Sequence, residues 1–93
     1  MIKATRVSYS RNFQKQLERA PIKIKEAFRD RRKLFNQDQF APQLRNHQLT
    51  GKLKNYRSIN ITGDWRALYS TNKIDKENVI VFEALGTHSQ LYK

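Results

Sequence analysis

"YRSINITGDWRALYSTNKIDKENVIVFEAL", residues 56–85, decides the fold. Its first seven residues have a period of two: Ile59 and Ile61 fall on one face, Tyr56, Ser58 and Asn60 on the other, as in a half-buried strand. Gly63-Asp64 reads as a tight turn, "WRALYS" as a second strand, "NKIDKEN" as a polar turn and "VIVFEAL" as a third strand. The third is nearly all apolar, which predicts an interior strand covered on both faces. Three consecutive strands joined by short turns make a meander.

Upstream of the meander the period changes. Tyr9, Phe13, Leu17 and Ala20 recur every three or four residues, so residues 10–20 read as an amphipathic helix, with Ser8 or Ser10 able to cap its start. Pro21 suits the first turn of a second helix and not the interior of one long helix. Ile24, Ala27, Phe28, Leu34 and Phe35 carry that second helix to about residue 36, and Lys23, Lys25, Arg29, Arg32 and Lys33 give it a basic outer face. Residues 3–9 alternate loosely and predict a further strand. Residues 37–55, "QDQFAPQLRNHQLTGKLKN", have no clear period and read as a long connection, a kind of segment that often carries function. The expected architecture is α+β in a single domain over residues 1–93. An N-terminal strand and a two-helix hairpin pack on one face of a mainly antiparallel sheet completed by the meander. The other face is expected to be open and polar.

Charge narrows the class of function. Nineteen Lys and Arg against eight Asp and Glu give a formal net charge of +11 on 93 residues, the footprint of a protein that meets a polyanion. The absence of cysteine excludes disulfides, thiolate zinc sites and a thiol nucleophile. The first ten residues, "MIKATRVSYS", hold no apolar signal core, and no stretch reaches the length of a membrane span, so a cytoplasmic protein with no membrane partner is expected.

The residues able to do chemistry are few. His47 and His88 are the only histidines; Asp64 and Trp65 sit at the hairpin turn; Arg57 and Arg66 lie on neighbouring strands, preceded by Lys52 and Lys54; Tyr92 is near the end. RNA carries its own nucleophile, the 2′-hydroxyl. A protein that cleaves it removes that proton, supplies one to the departing 5′-oxygen and stabilises charge on phosphorus. Histidine suits the proton transfers, Lys and Arg the phosphate, and an aromatic ring an unstacked base. No metal or other cofactor is required, and no histidine spacing typical of a metal site occurs. Singly each residue reads as ordinary: a loop histidine, a turn aspartate, a core tryptophan. Their concentration in the sheet half of the chain and its flanking loop lifts the set.

Three blocks, "NHQLTG", "YRSINITGDWRALY" and "LGTHSQLY", together resemble the RelE/ParE superfamily of bacterial toxin–antitoxin toxins, and within it the YafQ-type branch of mRNA interferases. The resemblance spans essentially the whole chain. It implies a ribosome-dependent endoribonuclease that cuts translated mRNA without a metal, by 2′-hydroxyl attack. It further implies a ribosome and mRNA as partners, a cognate antitoxin in a higher-order complex, and a monomeric free toxin. Residue by residue, it carries catalysis to His88, His47, Asp64 and Arg66, and RNA contacts to Trp65, Tyr92 and the Asn60 position; Lys52, Lys54 and Arg57, basic residues beside these blocks, are expected to bind RNA by their charge. The YafQ-type pattern has a further histidine on the first meander strand where this chain has Asn60, which can hydrogen-bond but cannot transfer a proton near neutrality. Arg66 stands where other RelE-type members carry a phosphate-binding arginine, so the resemblance implies a hybrid site. Two other functions remain open at this stage: a ParE-like toxin acting on DNA gyrase, and a basic nucleic-acid-binding protein with no chemistry.

Overall fold

The computed structural model describes residues 6–92. Strand β1 (Arg6–Tyr9) leads into helices α1 (Arg11–Arg19) and α2 (Ile22–Gln37). After α2 the chain passes through a 3-10 turn (Pro42–Leu44), strand β2 (His47–Gln48) and a second 3-10 turn (Gly51–Leu53). Strands β3 (Arg57–Thr62), β4 (Trp65–Ile74) and β5 (Glu77–Thr87) then form the meander, and helix α3 (His88–Leu91) follows. The sheet order is β1-β5-β4-β3-β2, with β1 parallel to β5 and every other pair antiparallel. This is the α+β architecture expected, with β5 interior between β1 and β4. Of the strand read over residues 3–9, residues 3–5 lie outside the described residues.

The helix hairpin is shaped by its caps. Ser10 Oγ accepts the Phe13 N–H at 3.0 Å and starts α1. Ala20 is extended (φ −70°, ψ 153°), the conformation that a following proline favours, and Pro21 is the residue before α2 rather than a member of its first turn. Phe13, Ile24, Phe28 and Phe35 pack on Ile59, Ile61, Ala67, Tyr69, Ile80, Phe82 and Leu85 of the sheet. The rings form a continuous cluster: Phe13–Phe28 at 5.1 Å, Phe28–Phe82 edge-to-face at 5.6 Å and Phe35–Tyr69 edge-to-face at 5.2 Å. Each such pair adds about 1 kcal/mol beyond the area it buries. Arg32, expected on the solvent face, instead folds back with its guanidinium 5.6 Å from the Phe82 ring centre and Nε donating to the Tyr9 hydroxyl.

A bulge keeps β5 in phase with this core. Leu68 pairs with Ala84 but Tyr69 pairs with Phe82, so Glu83 is an extra residue, and Leu85 and Phe82 both face the helices. Helix α1 satisfies the backbone there. The Glu83 carbonyl accepts from Ser10 Oγ (3.1 Å) and Asn12 Nδ2 (3.2 Å), and the Leu85 N–H donates to Gln16 Oε1 (2.7 Å).

The structure corrects three further sequence readings. The long connection holds a fifth strand, since β2 pairs with β3 through His47–Ser58 and Gln48–Arg57; two residues are too short to show a period. The polar run "NKIDKEN" is largely strand, and only Asp75 and Lys76 make the turn, both at positive φ (50° and 69°), as a two-residue hairpin requires. Its polarity matches its exposure, since residues 71–77 are all exposed. The far face of the sheet is not open along its whole length: Ser58 is fully buried, and its neighbour Leu68 is 3% exposed. Among the described residues no helix is long and apolar enough to cross a membrane.

Candidate active site

The far face of the sheet carries a cleft of about 620 Å³. Its floor is Asn60 on β3 and Arg66 on β4, which are cross-strand partners. One wall is the loop around β2, bringing Arg45, His47, Leu49, Thr50, Lys52 and Leu53. The other wall is α3, bringing His88 and Tyr92. Residues far apart in sequence meet because β3 and β4 lie between the β2 loop and the end of β5 in the sheet order.

His88 is the first residue of α3, and its position is fixed by backbone. Its N–H donates to the Asp64 carbonyl at 3.0 Å, tying α3 to the β3–β4 turn. Thr87 Oγ1 accepts the Gln90 N–H while Gln90 Oε1 accepts the Thr87 N–H at 2.9 Å, a reciprocal cap that sets the direction of the short helix. The His88 ring meets Tyr92 edge-on, with centres 4.5 Å apart. The Tyr92 hydroxyl in turn donates to buried Ser58 Oγ at 2.9 Å. The tail thus folds back over the sheet.

His47 stands exposed on the opposite wall. Its Nδ1 lies 2.8 Å from the Arg45 carbonyl. A carbonyl can only accept, so Nδ1 carries a proton, and Nε2 is the ring nitrogen turned to the cleft chemistry. Among the described residues Arg66 is held by carbonyls and not by carboxylates: one terminal nitrogen donates to Gly63 O at 2.7 Å and Trp65 O at 3.1 Å. Its charge is therefore oriented without being neutralised, which suits an anionic ligand.

Of the residues singled out from sequence, His47, Lys52, Asn60, Arg66, His88 and Tyr92 line the cleft. Lys54, Arg57, Asp64 and Trp65 are not among its lining residues. Lys54 is exposed at the end of the second 3-10 turn. Asp64 reaches His88 through its backbone carbonyl. Trp65 packs against the main core. The Arg57 Nε donates to Asn46 Oδ1 at 2.7 Å, and its guanidinium lies 5.3 Å from the Phe40 ring centre. Sequence reasoning missed Arg45 and Ser58. Arg45 sat in a stretch without period, its one signal being its place two residues before His47. Ser58 looked like a solvent-facing strand residue because the aromatic that covers it lies in the tail. Among the described residues no group of three or more potential ligands could hold a metal ion.

Comparison with known proteins gives the family and the fold. Residues 5–93 match a family model described as the bacterial toxin of a type II toxin–antitoxin system, YafQ. Fold and match together define a toxin of the RelE superfamily, the toxin half of a type II toxin–antitoxin system. Within that class the chain belongs to the YafQ family. The crystal structure of YafQ from E. coli is similar with a TM-score of 0.76 at 23% identity, covering 94% of this chain and 97% of that one. The E. coli DinJ-YafQ toxin-antitoxin complex gives 0.74 at 24% identity, covering 99% and 100%. A YoeB/ParE toxin from Agrobacterium tumefaciens gives 0.72 at 18% identity, covering 90% and 99%. At such identities the likeness is one of fold. A search of curated proteins finds no match.

Proposed function

We propose that this toxin is an endoribonuclease that cuts translated mRNA on the ribosome, in the cytoplasm, by metal-independent attack of the 2′-hydroxyl. The observation that carries the reading is that both histidines and an arginine held by two backbone carbonyls line one open cleft on a protein of net charge +11. His47 accepts the 2′-hydroxyl proton on its free Nε2. The 2′-oxygen bonds to the adjacent phosphorus, and the bond from phosphorus to the 5′-oxygen breaks. His88 gives its proton to that leaving oxygen, leaving a cyclic phosphate and a 5′-hydroxyl. Arg66 and Lys52 offset the charge that builds on phosphorus. Asn60 donates a hydrogen bond to the same group, and Tyr92 supports the His88 ring and offers its face to a base.

A cognate antitoxin follows from the toxin class, and the E. coli YafQ relative is known in complex with DinJ. On a chain this basic the partner segment is acidic or amphipathic and folds as it binds. The test is to induce wild type and His88→Ala from a tightly repressed promoter and map mRNA 5′ ends. New cuts in translated messages, lost in the variant, are expected. Growth arrest with intact messages, or cutting that ignores His88, would overturn the reading.

A further inference from the structure

We propose that Arg45 is a substrate-binding residue, its guanidinium holding a phosphate that flanks the scissile one on the β2 side of the cleft. The inference rests on the nuclease reading above and adds to it a cation that the sequence pattern did not mark.

Three observations converge on it. Arg45 lines the cleft beside His47. It closes the Pro42–Leu44 turn in the left-handed conformation, at φ 46° and ψ 46°. An L residue with a Cβ pays about 1 kcal/mol there, and glycine or asparagine would pay less. The backbone geometry also serves the site, because it aims the Arg45 carbonyl at His47 Nδ1, 2.8 Å away. The neighbouring residue fixes this arrangement from the other side of the sheet. Asn46 turns away from the cleft, donating to the Tyr69 hydroxyl at 2.6 Å and to Gln39 O at 3.1 Å while accepting from Arg57. With Asn46 anchored among the residues under the helices, Arg45 and His47 on either side of it are left to the cleft.

The position of Arg45 complements that of Arg66. β2 and β4 flank β3, so the loop before β2 and the cation on β4 stand about two strand spacings apart, roughly 10 Å. Arg66 is tied to the turn at Gly63, on its own side of that gap. A single RNA strand laid across β3 between the two histidines therefore presents one phosphate to Arg66 and its neighbour to Arg45. Arginine, with a planar fork of donors, suits a phosphate oxygen pair.

The left-handed backbone supplies an unusually clean test. Arg45→Gly keeps the conformation and the carbonyl that holds His47, and removes only the side chain. Binding of an all-deoxy single-stranded oligonucleotide, which lacks the attacking hydroxyl and stays intact, is measured by anisotropy across a salt series for wild type, Arg45→Gly and Arg45→Lys. The expected result for Arg45→Gly is affinity weaker by about tenfold and a log K against log salt slope shallower by about 0.7, the loss of one phosphate contact. Arg45→Lys keeps the slope. Unfolding midpoints of Arg45→Gly at or above wild type confirm that folding is intact. An unchanged affinity and slope for Arg45→Gly, or an oligonucleotide that even wild type does not bind, overturns the inference. The nuclease reading fails separately: a shallower slope with no cut messages in cells retires the chemistry and leaves Arg45 as a nucleic-acid contact.

Discussion

The Tyr92 hydroxyl donates to Ser58 Oγ at 2.9 Å, joining the tail of the chain to a fully buried hydroxyl on β3. Through this bond the wall carrying His88 is fastened to the floor of the cleft. Tyr92→Phe leaves the buried Ser58 hydroxyl short of a partner, and Ser58→Ala leaves the phenol short of one; each is expected to cost about 1–2 kcal/mol in urea unfolding. The double variant is expected to cost less than the sum, because no orphaned group remains. Strict additivity would show that the two hydroxyls are not coupled.

Gly86 sets how closely α3 approaches β5. A Cβ at this position would lie 2.9 Å from Gln90 Oε1 and 3.3 Å from Leu91 Cδ2. Gln90 Oε1 can move, but only by giving up its bond to the Thr87 N–H, and with it half of the reciprocal cap that orients His88. Gly86→Ala is therefore expected to lower stability by about 1 kcal/mol and to reduce message cutting by considerably more than the lost folded fraction explains. Cutting that simply tracks the thermal midpoint would mean that the cap does not position His88.

Arg57 was expected to contact RNA by its charge and its place on the strand beside Arg66, yet its bonds run to Asn46, to Gln48 and over Phe40. The expected outcome for Arg57→Ala is a loss of about 1–3 kcal/mol in unfolding free energy, since Asn46 Oδ1 loses a charged donor. The salt slope of oligonucleotide binding should stay as in wild type. A stable Arg57→Ala with a shallower slope would return this residue to the binding surface.

The fold was legible where hydrophobic period and punctuation agreed. The meander from Tyr56 to Leu85 and the break at Pro21 both announce themselves in sequence, because each is a local pattern. What could not be read was decided by contacts between distant segments. Nothing local tells that Ser58 is covered by Tyr92, that Glu83 bulges with its carbonyl held by Ser10 and Asn12, or that His47 and Gln48 add an edge strand. The candidate site divides in the same way. Its histidines stood out by scarcity, whereas Arg45 emerges only once the loop is folded and Asn46 is seen to point the other way.

Asn60 and Arg66 are cross-strand partners on the floor of the cleft, which puts their Cβ atoms about 5 Å apart. That pairing gives a sign to changes at Asn60. Asn60→Ala removes one hydrogen-bond donor to the phosphate and leaves the Arg66 charge intact, so a modest fall in cutting is expected, smaller than that of His88→Ala. Asn60→Asp is nearly isosteric but sets a carboxylate beside the guanidinium, offsetting its charge and repelling the RNA. Its cutting should fall below that of Asn60→Ala by about tenfold, a difference of about 1.4 kcal/mol, which is reasonable for one charge near a partly exposed phosphate. Mapped 5′ ends in cells expressing each variant at equal protein level provide the comparison. If Asn60→Asp cuts as well as Asn60→Ala, the charge of Arg66 is not what holds the scissile phosphate, and that role passes to Lys52 or Arg45 on the other wall.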